Sequence, residues 1–177
     1  DRYALAADLG LYLVADGMGG HTAGQLASEL AAEAAVNTLR TLIDASASLT
    51  EKLRYSVSAA NREILSTAEA KPELTGMGTT LVALLAGPDR IALAHVGDSR
   101  AYLFRDGKLQ QLTEDHSWIQ EQIKLGAMSE AEAKTSQFRH IITRSVGFER
   151  DVEPLLGRLR SSVIHNDAND YNVLVTE

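Results

Sequence analysis

The chain reads as an α+β domain with mainly antiparallel strand pairing. Three observations carry this. Two helical patterns fill the stretch from residue 22 to about residue 70. After the turn Thr75-Gly76-Met77-Gly78 the apolar residues change period, and strand-like runs replace helical ones. Arg105-Asp106-Gly107 then joins two short runs as a hairpin. A helical block followed by a strand-rich block is the α+β order.

At the N-terminus Asp1-Arg2 leads into a strand-like pattern, and Leu11-Tyr12-Leu13-Val14-Ala15 predicts a buried strand. From 22 to about 43, Leu26, Leu30, Ala34 and Leu39 recur near helical spacing, with Glu29 and Glu33 among them. Asp44-Ala45-Ser46-Ala47-Ser48 predicts a loop. Thr50-Glu51-Lys52 opens a second helix that runs to about Ala70, with Leu53, Val57, Ala60, Ile64 and Leu65 on one face. Lys71-Pro72 ends it. Residues 79–85 and 91–96 read as strands separated by Gly87-Pro88-Asp89. Residues 101–104 and 108–112 form the hairpin, 117–124 and 129–134 two short helices, and 171–176 a final strand. No internal repeat or low-complexity tract interrupts the chain, so residues 1–177 are expected to form one domain.

Composition narrows the function classes. The chain has 177 residues, enough for a sizeable core. Hydrophobic content of 45% and charged content of 23% are those of an ordinary globular protein. A formal net charge of −7 argues against non-specific nucleic-acid binding, which needs clustered positive charge. The absence of cysteine excludes disulfides, thiol nucleophiles and thiolate metal sites. No apolar run reaches the ~20 residues of a membrane span, and the N-terminus lacks a signal-peptide pattern. A cytoplasmic setting is the expectation, and the chain starts as if cut from something longer.

Two constellations point to chemistry. The first is Asp16-Gly17-Met18-Gly19-Gly20-His21, directly after the first strand. An acid at the end of a buried strand needs a partner or a cation, because burying it alone is costly. The glycines let the backbone turn sharply and a ligand come close. A carboxylate beside a bare carbonyl suits a hard cation such as Mg²⁺ or Mn²⁺. The second is His95-Val96-Gly97-Asp98-Ser99-Arg100, which repeats the pattern of strand, glycine and acid. Each also has a plain reading. Asp16-Gly17 is a common turn, and Asp98 can accept turn hydrogen bonds and pair with Arg100.

The residues 16–24 (DGMGGHTAG), 76–81 (GMGTTL) and 96–102 (VGDSRAY) resemble, in order and spacing, the metal-dependent PPM-type protein serine/threonine phosphatases, or protein phosphatase 2C family, with bacterial members the nearest in wording. Supporting matches are Arg105-Asp106-Gly107-Lys108-Leu109, Leu112-Thr113-Glu114-Asp115-His116-Ser117 and Ile141-Ile142-Thr143-Arg144-Ser145-Val146-Gly147. The resemblance covers residues 1 to about 154. It implies an α-β-β-α sandwich of two antiparallel sheets flanked by helices, here truncated at both ends. It implies two or three Mn²⁺ or Mg²⁺ ions. Asp16 would bridge two metals, the Gly17 carbonyl would ligate one, and Asp98 would hold a third. Asp16 and Asp98 are thus the expected catalytic acids. Residues 119–140 would be a flap beside the site. Two metals ~3.5–4 Å apart can orient and deprotonate a water for in-line attack on phosphorus. Implied substrates are proteins phosphorylated by a Ser/Thr kinase, and a monomer is expected.

The histidines and threonines carry quieter expectations. His21 fits a positioning role, His95 a hydrogen-bonded core role and His116 a helix cap. Met18 stands where some family members carry a histidine acid. Thr79 and Thr80 read as strand and turn hydrogen-bonders, and Arg100 and Arg144 as paired charges.

The pattern breaks after Glu153-Pro154. The family's Ser-Asp-Gly acid has no counterpart, and neither does its N-terminal phosphate-binding arginine. By the resemblance Asp170 would stand in for the terminal acid as a further metal ligand, while the Ser-Asp-Gly acid, a main metal ligand of the family, is missing. Residues 155–177 form a divergent or foreign tail. His165-x-Asp167 followed by Asn172 resembles the catalytic loop of aminoglycoside-phosphotransferase-type kinases. Two alternatives to a working phosphatase follow: an impaired phosphatase-fold module that acts by binding, and, more remotely, a small-molecule kinase fragment.

Overall fold

The computed structural model describes residues 1–148 and the strand 172–176. Its elements, in chain order, are β1 (Arg2–Ala6), β2 (Leu11–Ala15), β3 (Gly17–Met18), α1 (His21–Thr41), α2 (Leu49–Ala70), β4 (Gly78–Thr79), β5 (Leu81–Ala86), β6 (Ile91–Val96), β7 (Tyr102–Arg105), β8 (Lys108–Gln111), α3 (Trp118–Lys124), α4 (Glu130–Thr135) and β9 (Asn172–Thr176). The class is α+β with antiparallel pairing throughout, as expected. One sheet has five strands in the order β1-β2-β5-β6-β9. Among the described residues the other ladders, β3-β4 and β7-β8, are two-stranded.

One face of the large sheet makes the core. Leu11 pairs with Leu85 and Leu13 with Ala83, which in turn opposes Ala94. These side chains share a face because strand side chains alternate. They pack against α1 and α2 with Leu39, Leu53, Val57, Ala60 and Ile64. Each fully buried Leu, Val or Ile contributes about 1.5–3 kcal/mol. Helix α2 starts where a capping box fixes it. The Ser48 hydroxyl accepts from the Glu51 N–H, and the Glu51 carboxylate accepts from the Ser48 N–H.

Helix α1 differs from its expected apolar row. Its buried stripe is Ala27, Ala31, Ala35 and Leu39, with Leu26 and Leu30 only partly buried. Small side chains at i, i+4 spacing let α1 lie close to both the sheet and α2. The opposite sheet face carries Tyr3, Leu5, Tyr12 and Val14, all exposed.

The run 79–85 is not one strand. It breaks at Thr80, because β4 pairs with β3 and Thr79 exchanges hydrogen bonds with Val146, while Thr80 turns its N–H to the Asp16 carbonyl. β9 joins the sheet at the β6 edge, Leu174 opposite Leu93. Most of the divergent tail, including His165, Asp167 and Asp170, lies outside the described residues.

Candidate metal centre

Asp16 follows β2 directly. Alternation puts Ala15 toward the helices and Asp16 on the other face, with Tyr12 and Val14, so Asp16 is exposed. The expectation of a buried acid is thereby corrected: the strand is buried, its terminal carboxylate is not. The backbone of Asp16 is fixed on both sides by one residue. Its carbonyl accepts from the Thr80 N–H at 2.9 Å, and its N–H donates to Thr80 Oγ1 at 3.1 Å.

Gly17 begins β3 where α1 crosses it. A Cβ on Gly17 would stand 1.8 Å from the Gly24 carbonyl oxygen, so no other residue fits there. The close crossing fixes the Gly17 backbone, whose carbonyl oxygen lies against Gly24 of α1.

Asp98 sits in the turn after β6, behind Gly97 at φ +97°. Asp98 too is exposed. Arg100 does not pair with it. Its Nε and Nη2 donate to the two carboxylate oxygens of Asp115 at 2.7 and 2.6 Å. That two-point contact raises the guanidinium pKa and overturns the plain reading of Asp98. Among the described residues neither the Asp16 nor the Asp98 carboxylate has a hydrogen-bond or ion-pair partner.

The two acidic turns meet at Thr80, whose Oγ1 lies 2.7 Å from Ser99 Oγ. Asp16 and the residue after Asp98 therefore share one hydroxyl. Thr80 was expected as a turn hydrogen-bonder. Its partners were beyond the reach of motif reading, since Asp16 is 64 residues away.

Two histidines brace the Asp98 turn from behind. His95 is buried and its Nε2 donates to the Glu114 carbonyl at 2.7 Å, as expected of a core histidine. His116 does not cap a helix. Ser117 caps α3, accepting from the Gln120 N–H. His116 instead stacks on His95 at 4.6 Å, accepts the Gly97 N–H on Nδ1 and gives its own N–H to the Gly97 carbonyl. Burial, His95, Arg144 and Lys124 push the His116 pKa down to about 3. Burial likewise lowers that of His95, against the opposing pull of Glu114 and Asp115.

A family model described as protein phosphatase 2C matches residues 1–147. The chain belongs to the protein phosphatase 2C family. It is 41% identical over 152 residues to the serine/threonine phosphatase stp of Listeria monocytogenes, covering 81% of this chain. It spans 58% of the length of that relative. The serine/threonine phosphatase PstP of Mycobacterium tuberculosis superimposes with a TM-score of 0.72 at 33% identity, over 99% of this chain and 70% of that one. The catalytic domain of PstP in complex with two manganese ions gives a TM-score of 0.69 at 35% identity, over 94% of this chain and 61% of that one.

For a member of this family the donor set fits a hard divalent cation in kind. Two exposed carboxylates and a backbone carbonyl are all oxygen donors, with no thiolate to favour a softer metal. Among the described residues no group of three or more His, Asp or Glu side chains converges. A magnesium-like ion needs only one or two carboxylates and fills its other positions with water and substrate oxygens. Also among the described residues, no helix is long and apolar enough to cross a membrane.

Proposed function

We propose that this protein phosphatase 2C chain belongs to an enzyme that hydrolyses phosphoserine and phosphothreonine monoesters in proteins, with Mn²⁺ or Mg²⁺ as the cofactor. The observation that supports this best is the pair of carboxylates, Asp16 and Asp98, that have no partner among the described residues and whose turns are tied together through Thr80 at the ends of β2 and β6. Asp16, the Gly17 carbonyl and Asp98 would hold the ions, and Asp170 is assigned as the further acid. When bound, such ions supply Lewis-acid stabilisation of phosphoryl charge and lower the pKa of water toward neutrality.

The chain's own residues do the positioning. The Thr80 bonds fix the Asp16 backbone, and the Gly17–Gly24 crossing fixes the neighbouring carbonyl. His116 fixes Gly97 and with it the direction of the Asp98 turn. Arg100 is committed to Asp115 and is not assigned to phosphate. The substrates would be phosphoproteins made by a Ser/Thr kinase, and the setting cytoplasmic.

The test is hydrolysis of a phosphothreonine peptide with Mn²⁺ and with EDTA, for the wild type and Asp16→Asn. Manganese-dependent turnover that the variant loses is the expected result. Absent turnover, with Mn²⁺ still raising the melting temperature, would replace the enzyme by a metal-loaded binding module. A melting curve unmoved by millimolar Mn²⁺ would overturn the metal centre itself.

A further inference from the structure

We infer that the Thr80 side chain, paired with Ser99, is the positioning residue that sets the spacing of the Asp16 and Asp98 turns. The inference rests on the metal-centre reading above for its functional consequence, but its structural part stands without metal.

Thr80 is 1% exposed and occupies the break between β4 and β5. Its backbone N–H and its Oγ1 both engage Asp16, at 2.9 and 3.1 Å. Its Oγ1 also contacts Ser99 Oγ at 2.7 Å. A hydroxyl has one proton and two acceptor sites. Accepting from the Asp16 N–H leaves that proton for Ser99, so one group can serve both turns. The methyl group does a second job. A Cβ on Gly97 would stand 2.7 Å from Thr80 Cγ2, so the methyl packs directly on the backbone that precedes Asp98. Threonine therefore touches one acidic turn by hydrogen bonds and the other by a hydrogen bond and a packed methyl. Both carboxylates are exposed and lack partners of their own among the described residues, so their backbones must set their spacing. Removing partners that orient metal ligands commonly costs about 10–100-fold in affinity.

The variants separate the two contacts. Thr80→Val keeps the branched shape and loses the hydroxyl, whereas Thr80→Ser keeps the hydroxyl. Ser99→Ala removes the far end of the link at a less buried position and guards against misfolding of the Thr80 variants. Two readouts are needed. Amide hydrogen exchange of Asp16 in the metal-free protein reports the bond directly. Calorimetric titration with Mn²⁺ reports ligand spacing. Thr80→Val should speed Asp16 exchange and weaken Mn²⁺ about tenfold or more. Thr80→Ser should keep Asp16 exchange near wild type and lose less Mn²⁺ affinity than Thr80→Val, the remaining loss being that of the packed methyl. The double variant Thr80→Val with Ser99→Ala should be no worse than Thr80→Val alone, because the two residues form one link.

Unchanged Asp16 exchange in a folded Thr80→Val protein would overturn the inference. So would a Thr80→Ser variant as impaired as Thr80→Val, since packing alone would then explain the effect. If wild type takes up no Mn²⁺, the metal-centre reading fails and the exchange experiment alone decides whether the link exists.

Discussion

Gly24→Ala should destabilise this protein, although the same change in an ordinary helix stabilises. Gly24 lies in the first turn of α1 with helical backbone, its N–H bonded to the Gly20 carbonyl at 2.8 Å. Helix propensity alone favours alanine by about 1 kcal/mol. The new Cβ, however, would stand 2.7 Å from the Gly17 carbonyl oxygen, 2.8 Å from its carbon and 2.9 Å from the Met18 nitrogen. All three are backbone atoms of β3, which is held by its pairing with β4 through Gly17 opposite Thr79. No flexible side chain can give way. Overpacking of this kind costs about 1–3 kcal/mol, and the rigid neighbour puts it in the upper part of that range. The net loss is about 1–2 kcal/mol, or roughly 2–8 °C in melting temperature for a domain of this size. Thermal unfolding followed by circular dichroism measures it. The Gly17 carbonyl is also a proposed metal ligand, so Mn²⁺ affinity should fall in the same variant. A melting temperature equal to or above wild type would refute the reasoning, because it would mean α1 and β3 separate at little cost.

The remaining predictions concern the braces around the site. Between pH 6.5 and about 3 the unfolded chain protonates His116 while the folded chain does not, so stability should fall as pH drops through that window, by about 1.4 kcal/mol per unit for each such histidine. His95, lowered in the same direction, should add to the slope. Urea melts across this range check it, and His116→Asn, which keeps an acceptor for the Gly97 N–H, should flatten the curve. Asn61→Ala should cost about 1–2 kcal/mol, because the buried Asn61 Oδ1 accepts the Gly147 N–H at 2.7 Å and ties the segment after Thr143 to α2. A urea midpoint equal to wild type would show that the tie carries no energy.

The elements whose burial pattern is local were legible. Leu11–Ala15 and Ile91–Val96 form strands with the predicted bounds, because each is an apolar run, broken only by His95 in the second, between turn residues. The face of α2 was likewise readable, since Leu53, Val57 and Ile64 are large enough to stand out at helical spacing. Helix α1 was legible as a helix but not in its orientation. Its leucines stand beside the true contact stripe, and the alanines win the buried side because close approach to the sheet needs small residues there. The break at Thr80 was invisible for a related reason. It depends on Asp16 and Val146, both distant in sequence, competing for backbone groups that a regular strand would otherwise satisfy.

The site shows the same division between local and long-range signals. Glycine-rich turns after strands point to Asp16 and Asp98 as candidate ligands, but both side chains are exposed, so burial gives no reason for a cation there. A different reason replaces it. Arg100 is two residues from Asp98, the nearest cation in sequence, and yet it reaches past Asp98 to make both its short hydrogen bonds to Asp115. A surface ion pair between close neighbours contributes little, so the pairing is decided by geometry rather than by charge. Here the geometry is set by strand β7 and the segment before α3, which bring Asp115 to the guanidinium plane. The outcome is that the turn after β6 projects a carboxylate with no partner among the described residues. The turn after β2 does the same with Asp16, on the far side of the Thr80 hydroxyl. Exposed carboxylates in two turns that meet at one hydroxyl are oxygen donors of the kind a hard divalent cation takes. That chemistry, rather than burial, favours a cation, and it predicts that Asp98→Asn weakens the hold on Mn²⁺ while changing the stability of the metal-free protein by no more than about 0.5 kcal/mol, as at other surface positions. A variant that binds Mn²⁺ as tightly as the wild type would show that the Asp98 carboxylate holds no ion.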